Sequence, residues 1–210
     1  MKRLLIAAFL LNTACAEQLR IAVYGHENLP ANEIASGLRR IFRQSGFDIV
    51  WEAGLPNAEE ASVMLYAGTP AKGRQQEALC RARRDIALSV LPVAPPGLNK
   101  TVLGMSQPLA PAGLNIRVFD DRVREVARSH NVAYPIVLAH VIAHEIGHVL
   151  LRSREHAGHG LMGDVWTGQE YDGLARGSLS FTAKQLNGMR ATLAGTGCPD
   201  RIGSLRSNQH

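Results

Sequence analysis

Apolar residues follow two different periods along the chain, and each period predicts a different kind of element. Short alternating or continuous apolar runs, bounded by turn-forming residues, predict β-strands. These strands are Leu19–Tyr24, Phe47–Trp51, Ser62–Tyr66, Ile86–Val93, Thr101–Met105 and Leu114–Phe119. Helical spacing instead occurs between Pro30 and Ser45-Gly46. Four apolar residues share one face there: Ile34, Leu38, Ile41 and Phe42.

The second half of the chain favours helices. Pro135–Leu151 is rich in Val, Ile, Leu and Ala, and a proline suits its first turn. Six glycines between residues 158 and 177 predict a mostly irregular segment. Two shorter helices are predicted, one from an Asp120 or Asp121 cap to Ser129 and one from a Ser180 or Thr182 cap to Leu193. Strands followed by helices predict an α+β fold, with helices packed on a mixed sheet.

The two ends of the chain carry signals of their own. Residues 1–16 have a basic start, an apolar middle and a small-x-small site, and so predict a secretory signal peptide. Acylation of Cys15, as in a lipoprotein, is the alternative. The protein is therefore expected to be secreted or periplasmic. Export leaves Cys80 and Cys198, which predict one disulfide bond or two free thiols. Residues 199–210 are polar and predict a mobile tail.

Composition limits the remaining possibilities. The chain has 210 residues, 46% apolar and 20% charged, which suits a single globular domain over residues 17–198. The net charge of +5 is modest, and the basic cluster at residues 81–84 has no interleaved aromatics, so no nucleic-acid partner is expected. The apolar run Leu4–Leu11 is too short to span a bilayer, so no stable membrane insertion is expected. We expect a monomer.

The candidate chemistry begins with an H-E-x-x-H motif in the helix Pro135–Leu151. His144 and His148 are four residues apart, so both imidazoles can reach one metal ion from the same helical face. Glu145 lies about 100° around the helix, where it can act on a metal-bound water without binding the metal. The alternative is an ordinary amphipathic helix, although buried polar groups of this kind would then need other partners.

A catalytic zinc normally takes three protein ligands, and the residues leave the third one open. His156 lies eight residues after His148, His159 lies three further on, and Glu170 would give a two-His, one-Glu site. His140 precedes His144 by four residues. Three histidines at successive four-residue steps are nearly collinear and converge poorly on one tetrahedral ion, so His140 is expected to be buried or to support a ligand.

The segment from His144 to Met162 resembles the metzincin zinc peptidases, whose motif H-E-x-x-H-x-x-G-x-x-H precedes a methionine turn. Here Leu151 and Arg154 occupy the glycine and third-histidine positions. His156 follows after seven intervening residues, as in small secreted bacterial members with a looped-out spacing. The resemblance implies that His144, His148 and His156 bind one Zn²⁺, that Glu145 is the general base, and that Met162 is the turn methionine.

The same resemblance implies the architecture and the activity. The expected fold has a twisted mixed sheet with helices packed on it, an active-site helix, and a small C-terminal subdomain with one long helix. A cleft would separate residues 17–151 from 152–198. The implied function is a secreted zinc-dependent endopeptidase that acts on peptides or proteins. Two alternatives remain open, namely an exported zinc-binding module without catalysis and a structural or adhesion domain that binds no metal.

Overall fold

Strands and helices alternate in a computed structural model of the chain, which describes residues 17–24, 28–53, 85–107 and 114–194. The strands are β1 (Glu17–Tyr24), β2 (Phe47–Ala53), β3 (Asp85–Leu91), β4 (Gly104–Ser106) and β5 (Leu114–Phe119). The helices are α1 (Ala31–Phe42), α2 (Asp120–Ser129), α3 (Tyr134–Leu151), α4 (Gly168–Arg176) and α5 (Ala183–Ala194), with a 3-10 turn at Arg43–Ser45.

The strands form one mixed sheet in the order β2-β1-β3-β5-β4. The first four of these strands are parallel to one another, and β4 pairs antiparallel with β5. Alternate residues of β3, namely Ile86, Leu88 and Val90, have no exposed surface, because successive side chains of a strand point to opposite faces. One face of the sheet is therefore buried. Strand β4 lies at an edge, and no strand of the described residues pairs with its outer side.

Helices α1 and α3 supply the other half of the core. The predicted apolar face of α1 is buried, and Phe42 at its end contacts Phe181 with ring centroids 5.2 Å apart. Helix α3 packs against α1, α2, α5 and the strands β4 and β5. It is long and apolar enough to cross a membrane by length and composition, but 72% of it is buried inside the protein. Its polar residues therefore lie within the core rather than on a surface.

Most predicted elements in the described residues are present, with small shifts. The strand predicted at Ile86–Val93 is Asp85–Leu91, and the one predicted at Thr101–Met105 is Gly104–Ser106. The last helix begins after Thr182, whose hydroxyl accepts the Gln185 N–H, as predicted for a cap. The signal peptide, the strand at Ser62–Tyr66, the Cys80–Cys198 bond and the 199–210 tail lie outside the described residues.

Two local predictions were wrong. Neither Asp120 nor Asp121 caps α2 through its side chain. Asp120 instead accepts hydrogen bonds from Arg124 and from the Tyr134 hydroxyl, and Asp121 accepts one from the Ala94 N–H at 3.2 Å. Both carboxylates therefore bind neighbouring segments.

The glycine-rich segment 158–177 also differs from its prediction, because it contains the helix α4. Thr167 and Glu170 form a reciprocal capping box at the start of this helix, and Gly177 ends it in the left-handed conformation with φ of 69°. Two well-formed ends compensate for the poor helix propensity of glycine.

Candidate metal centre

The end of helix α3 brings the H-E-x-x-H residues to a place where the chain can turn back over them. Arg152 adopts the left-handed conformation, with φ of 52° and ψ of 37°, and so ends the helix. The Ser153 N–H then donates to the His148 carbonyl oxygen at 3.2 Å. As a result, the residues after 153 return along the helix face that carries the histidines.

A tight turn completes this return. The Ala157 N–H donates to the Met162 carbonyl oxygen at 2.7 Å, and the Gly163 N–H donates to the Gly160 carbonyl oxygen at 2.9 Å. Gly160 has φ of 80°, a backbone conformation that favours glycine. The turn holds the strand-like residues on either side of it together, and it places His156 opposite the two helical histidines.

Three imidazole rings meet at this point. The Nε2 atom of His148 lies 3.0 Å from Nε2 of His144 and 3.2 Å from Nε2 of His156. Within the described residues, these three histidines form a group whose ligand atoms all lie within 4.8 Å of one another. Ligands of a tetrahedral zinc at about 2.0–2.1 Å would lie roughly 3.3–3.4 Å apart, so the observed spacing fits such an ion.

The opposite nitrogen of each ring has an acceptor. Nδ1 of His144 is 2.7 Å from the Leu161 carbonyl oxygen, and Nδ1 of His148 is 2.9 Å from the Ser153 carbonyl oxygen. Nδ1 of His156 is 3.4 Å from Oδ1 of Asp164. Since a carbonyl oxygen can only accept, Nδ1 of His144 and of His148 carries the proton. Their Nε2 atoms therefore present lone pairs toward each other.

Facing lone pairs repel unless a cation lies between them, so the donor set itself suits a metal ion. Burial also lowers the pKa of His144 to about 4 and lowers the pKa of His148, which favours the neutral imidazole that binds metals. The orientation, the spacing and the protonation of the rings thus agree with one another, and all three match what a metal site requires.

Glu145 lies beside the histidines but outside their group. Its side chain is buried, with 6% of its surface exposed. Burial raises the pKa of Glu145 to about 7, and a hydrogen bond from the Ser106 hydroxyl opposes part of that rise. A buried carboxyl group with a pKa near neutrality can both accept and release a proton, which is the property expected of a general base.

The other candidate ligands lie elsewhere. His159 lies outside the histidine group, and His140 is buried in α3 with its Nδ1 donating to the Ile136 carbonyl oxygen at 2.7 Å. Glu170 accepts hydrogen bonds from the N–H groups of Gly160 and Thr167 and from the Thr167 hydroxyl. Glu170 therefore joins the start of α4 to the turn below the histidines, which is a structural role that sequence reasoning did not foresee.

Glu170→Gln should destabilise the protein in a pH-dependent way. The hydrogen bonds lower the pKa of Glu170 to about 2, so its carboxylate contributes stability above its ordinary pKa of 4.5 and loses that contribution as the pH falls toward 2. We expect the variant to unfold about 3–6 °C below the wild type at pH 7, and the difference to shrink at pH 3. Thermal unfolding with a chelator present would measure this without a metal contribution.

The matched control for this variant is Asp172→Asn on the same helix. Asp172 is exposed and approaches only Arg176, at 3.9 Å, among the ion pairs of the described residues. Exposed pairs of this kind contribute little, so its unfolding temperature should be unchanged. A difference between wild type and Glu170→Gln that stayed constant from pH 7 to pH 3 would contradict the assigned role.

Met162 packs directly beneath the H-E-x-x-H motif. Its side chain is buried, and a Cβ atom at Gly147 would lie 2.4 Å from the Met162 sulfur and 2.9 Å from a ring carbon of Phe181. Only a glycine therefore allows this close approach between the helix and the methionine turn. Since the carbonyl group of the preceding residue, Leu161, orients His144, packing at Met162 also supports a candidate ligand.

Gly147→Ala should destabilise the protein, although alanine normally favours a helix. The added methyl group overlaps Met162, and overpacking of this kind costs about 1–3 kcal/mol, or roughly 3–10 °C in unfolding temperature. Gly173→Ala is the control, because a Cβ atom there would make ordinary contacts of 3.5 Å or more. Thermal unfolding that is equal for the two variants would show that Met162 can move away without cost.

Three further groups at the centre escaped prediction. The carbonyl oxygen of Leu161 accepts from both His144 and the Trp166 indole, the latter at 3.2 Å. The carbonyl oxygen of Ser153 and the carboxylate of Asp164 orient the other two rings. Because every residue has a backbone carbonyl group, the sequence does not show which of them will accept a hydrogen bond from a histidine ring. Asp164 is 77% exposed and was one acidic residue among many, so no pattern distinguished it.

Comparison with known proteins bears on the fold. No protein-family model matches the chain, and no curated protein has significant sequence similarity to it. Among solved structures, an archaemetzincin from Methanopyrus kandleri superposes with a TM-score of 0.51 at 18% identity, covering 88% of this chain and 99% of that one. A zinc-dependent peptidase from Methanocorpusculum labreanum gives a TM-score of 0.54 at 15% identity, covering 83% and 99%.

These neighbours confirm the predicted fold class. The chain has the α+β fold of the archaemetzincin, with a mixed five-stranded sheet and packed helices in the described residues. At these identities the similarity concerns the fold alone. The ligand roles of the three histidines, the role of Glu145 and the division into two subdomains stay predictions.

Proposed function

We propose that the protein is a zinc-dependent endopeptidase. The observation that carries this proposal is the convergence of three imidazole Nε2 atoms next to a buried carboxyl group, on a metallopeptidase fold. The two structural neighbours are described as an archaemetzincin and a zinc-dependent peptidase, which supports the same chemistry here. Three imidazole nitrogens are also a donor set that zinc prefers in catalytic sites.

Each residue of the site then has a separate role in the proposed reaction. His144, His148 and His156 would hold the zinc through Nε2. When bound there, zinc would lower the pKa of a bound water and polarise the scissile carbonyl group. Glu145 accepts the proton of the attacking water and delivers it to the amine of the departing peptide. The carbonyl groups of Leu161 and Ser153 keep two of the rings oriented throughout.

Strand β4 is the proposed place for the substrate. Its outer edge offers unpaired backbone groups in the described part of the chain, and an extended peptide could add to the sheet there. Since β4 packs against α3, a peptide on that edge would pass close to Glu145. Backbone pairing of this kind accepts many sequences, which suits an endopeptidase that acts on peptides or unfolded proteins.

We further propose that the protein is an exported member of the metzincin group, of the small secreted bacterial type, and that it acts as a monomer without nucleic-acid or membrane partners. The basic and apolar pattern of residues 1–16 supports export. The seven-residue spacing between His148 and His156 supports the subtype. N-terminal sequencing of the protein recovered from an expressing cell would show whether the first sixteen residues are removed.

The proposal is tested on the purified protein with elemental analysis and a quenched fluorescent peptide library. We expect one zinc per chain, and cleavage that a chelator abolishes and added zinc restores. One zinc per chain without any cleavage would favour the non-catalytic zinc-binding module instead. Absence of bound zinc at micromolar concentration would overturn both interpretations and leave a structural domain.

A further inference from the structure

Strand β4 presents one face to the candidate metal centre. Gly104 and Ser106 are two residues apart and lie on the same face of the strand, toward α3, while Met105 points outward and is 46% exposed. The register pairs Gly104 with Val118 and Ser106 with Ile116 of β5. The side of β4 that faces the helix thus carries one residue without a side chain and one short hydroxyl side chain.

Gly104 leaves the space in which the Glu145 side chain lies. A Cβ atom at residue 104 would be 2.9 Å from Oε1 and 3.0 Å from Cγ of Glu145, and 3.1 Å from the Arg117 carbonyl oxygen. The backbone of β4 is therefore in contact with the carboxyl group itself. Any larger residue at this position would push Glu145 away from its observed place, because the strand is paired with β5 and cannot retreat.

Ser106 contacts the same carboxyl group from farther along the strand. The register of β4 places the Ser106 hydroxyl on the strand face that Gly104 presents to Glu145, and there it acts on the carboxyl group as a hydrogen-bond donor. A buried carboxylate without a donor is costly, so this hydrogen bond stabilises the side chain in one orientation. Gly104 limits where the carboxyl group can lie, and Ser106 holds it there.

The strand is itself held firmly, although it is only three residues long. The Arg122 guanidinium in α2 donates to the carbonyl oxygens of Val102 at 2.6 Å and of Leu98 at 3.2 Å, and it also binds the Asn99 carbonyl. The Phe119 N–H donates to the Leu103 carbonyl oxygen at 2.9 Å. The segment that leads into β4 is thus fixed to the start of α2, so β4 can serve as a rigid support.

We propose that β4 positions the general base: Gly104 provides the room for the Glu145 carboxyl group, and Ser106 orients it by a hydrogen bond. This inference rests on the proposed peptidase function, and it makes Gly104 and Ser106 positioning residues. The same short strand would then bind the peptide on its outer edge and hold the base on its inner face. The substrate and the Glu145 carboxyl group would both be held by the same rigid strand, which fixes the distance between them.

Steady-state kinetics test the catalytic consequence. A misplacement of about 1 Å can cost about 100-fold, so we expect Gly104→Ala to lower kcat about 100-fold and Ser106→Ala about 10-fold. KM and zinc content should stay at their wild-type values. Ser106→Thr keeps the hydroxyl and suits a strand, so it should restore most of the activity. Gly173→Ala, on α4 with ordinary contacts, is the control for adding a methyl group.

Thermal unfolding of the zinc-free protein tests the contact without reference to activity. Ser106→Ala should lower the unfolding temperature by roughly 2–4 °C in the wild-type background. In a Glu145→Ala background it should lower it by less than about 1 °C, because the acceptor is gone. Gly104→Ala should likewise be less harmful in that background, although the Arg117 carbonyl remains close.

The two measurements separate failure of the inference from failure of the proposed function. If the wild type cleaves peptides and both variants keep kcat within twofold, positioning by β4 is overturned. Equal temperature shifts in the two backgrounds would overturn the contact itself. If the wild type binds zinc and cleaves nothing, the proposed function fails. The contact of β4 with Glu145 is then tested only by the unfolding temperatures of the zinc-free variants.

Discussion

Glu145→Gln is expected to lower kcat about 10²–10⁴-fold while the protein keeps one zinc per chain. Glutamine has nearly the same shape as glutamate and retains an oxygen that can accept the Ser106 hydrogen bond. It cannot accept the proton of an attacking water at neutral pH. The histidines are unchanged, so metal binding should not respond. Steady-state kinetics and elemental analysis of the same preparation measure both quantities.

Glu125→Gln provides the matched control for this experiment. Glu125 lies on α2, is 65% exposed and pairs with Arg128, so the same chemical change there should leave turnover unaffected. Turnover by Glu145→Gln at the wild-type rate would rule out Glu145 as the base. Loss of zinc from Glu145→Gln would point instead to a structural role for the carboxyl group in the metal centre.

The part of the site that lies on one helix could be predicted from sequence, because helix geometry alone determines it. Residues His144 and His148 face the same way whenever the segment is helical, and Pro135–Leu151 had a strong helical pattern. The predicted helix agrees with α3 to within one residue. The same spacing argument predicted that His140 does not bind the same ion as His144 and His148. His140 is buried in the core.

The place of His156, the proposed third ligand, could not be derived in the same way, because it depends on how the chain returns after α3. Arg152 ends α3 in a left-handed conformation, which arginine seldom adopts. An arginine at this position therefore does not predict the left-handed turn of the backbone. The return also needs the turn at Gly160 and the carboxylate of Glu170. These contacts are tertiary, and the residues alone therefore left three candidates open.

The sequence also did not reveal the helix α4 or the role of Ser106, and the physical reasons differ. The helix α4 was missed because glycines outweighed its capping box, although Thr167 and Glu170 stand at the spacing that such a box requires. The role of Ser106 follows from the register of β4 on β5, which a three-residue edge strand in a segment rich in proline and glycine does not reveal. Gly104 within a predicted strand was the available signal of a close approach.

His156→Ala is expected to weaken zinc binding more than any change in a supporting residue. Removal of a residue that only orients a ligand typically costs 10–100-fold in metal affinity, so loss of a ligand should cost at least about 100-fold. His159→Ala should bind zinc as the wild type does, because the His159 side chain lies outside the histidine group. Competition with a chromophoric chelator measures both affinities.

The comparison of these two variants decides how the chain completes its metal centre. His156 reaches the other histidines only because the chain turns back after Arg152, and the Ala157–Met162 hydrogen bond holds it there. If His159→Ala lost zinc and His156→Ala kept it, the return would have to be shifted by three residues in solution, and that hydrogen bond would be broken. Cobalt substitution would detect such a shift, because the visible spectrum of cobalt reports the number and type of its ligands. With His156 as the ligand, cobalt in the His159→Ala variant should give the wild-type spectrum, whereas His156→Ala should lose it.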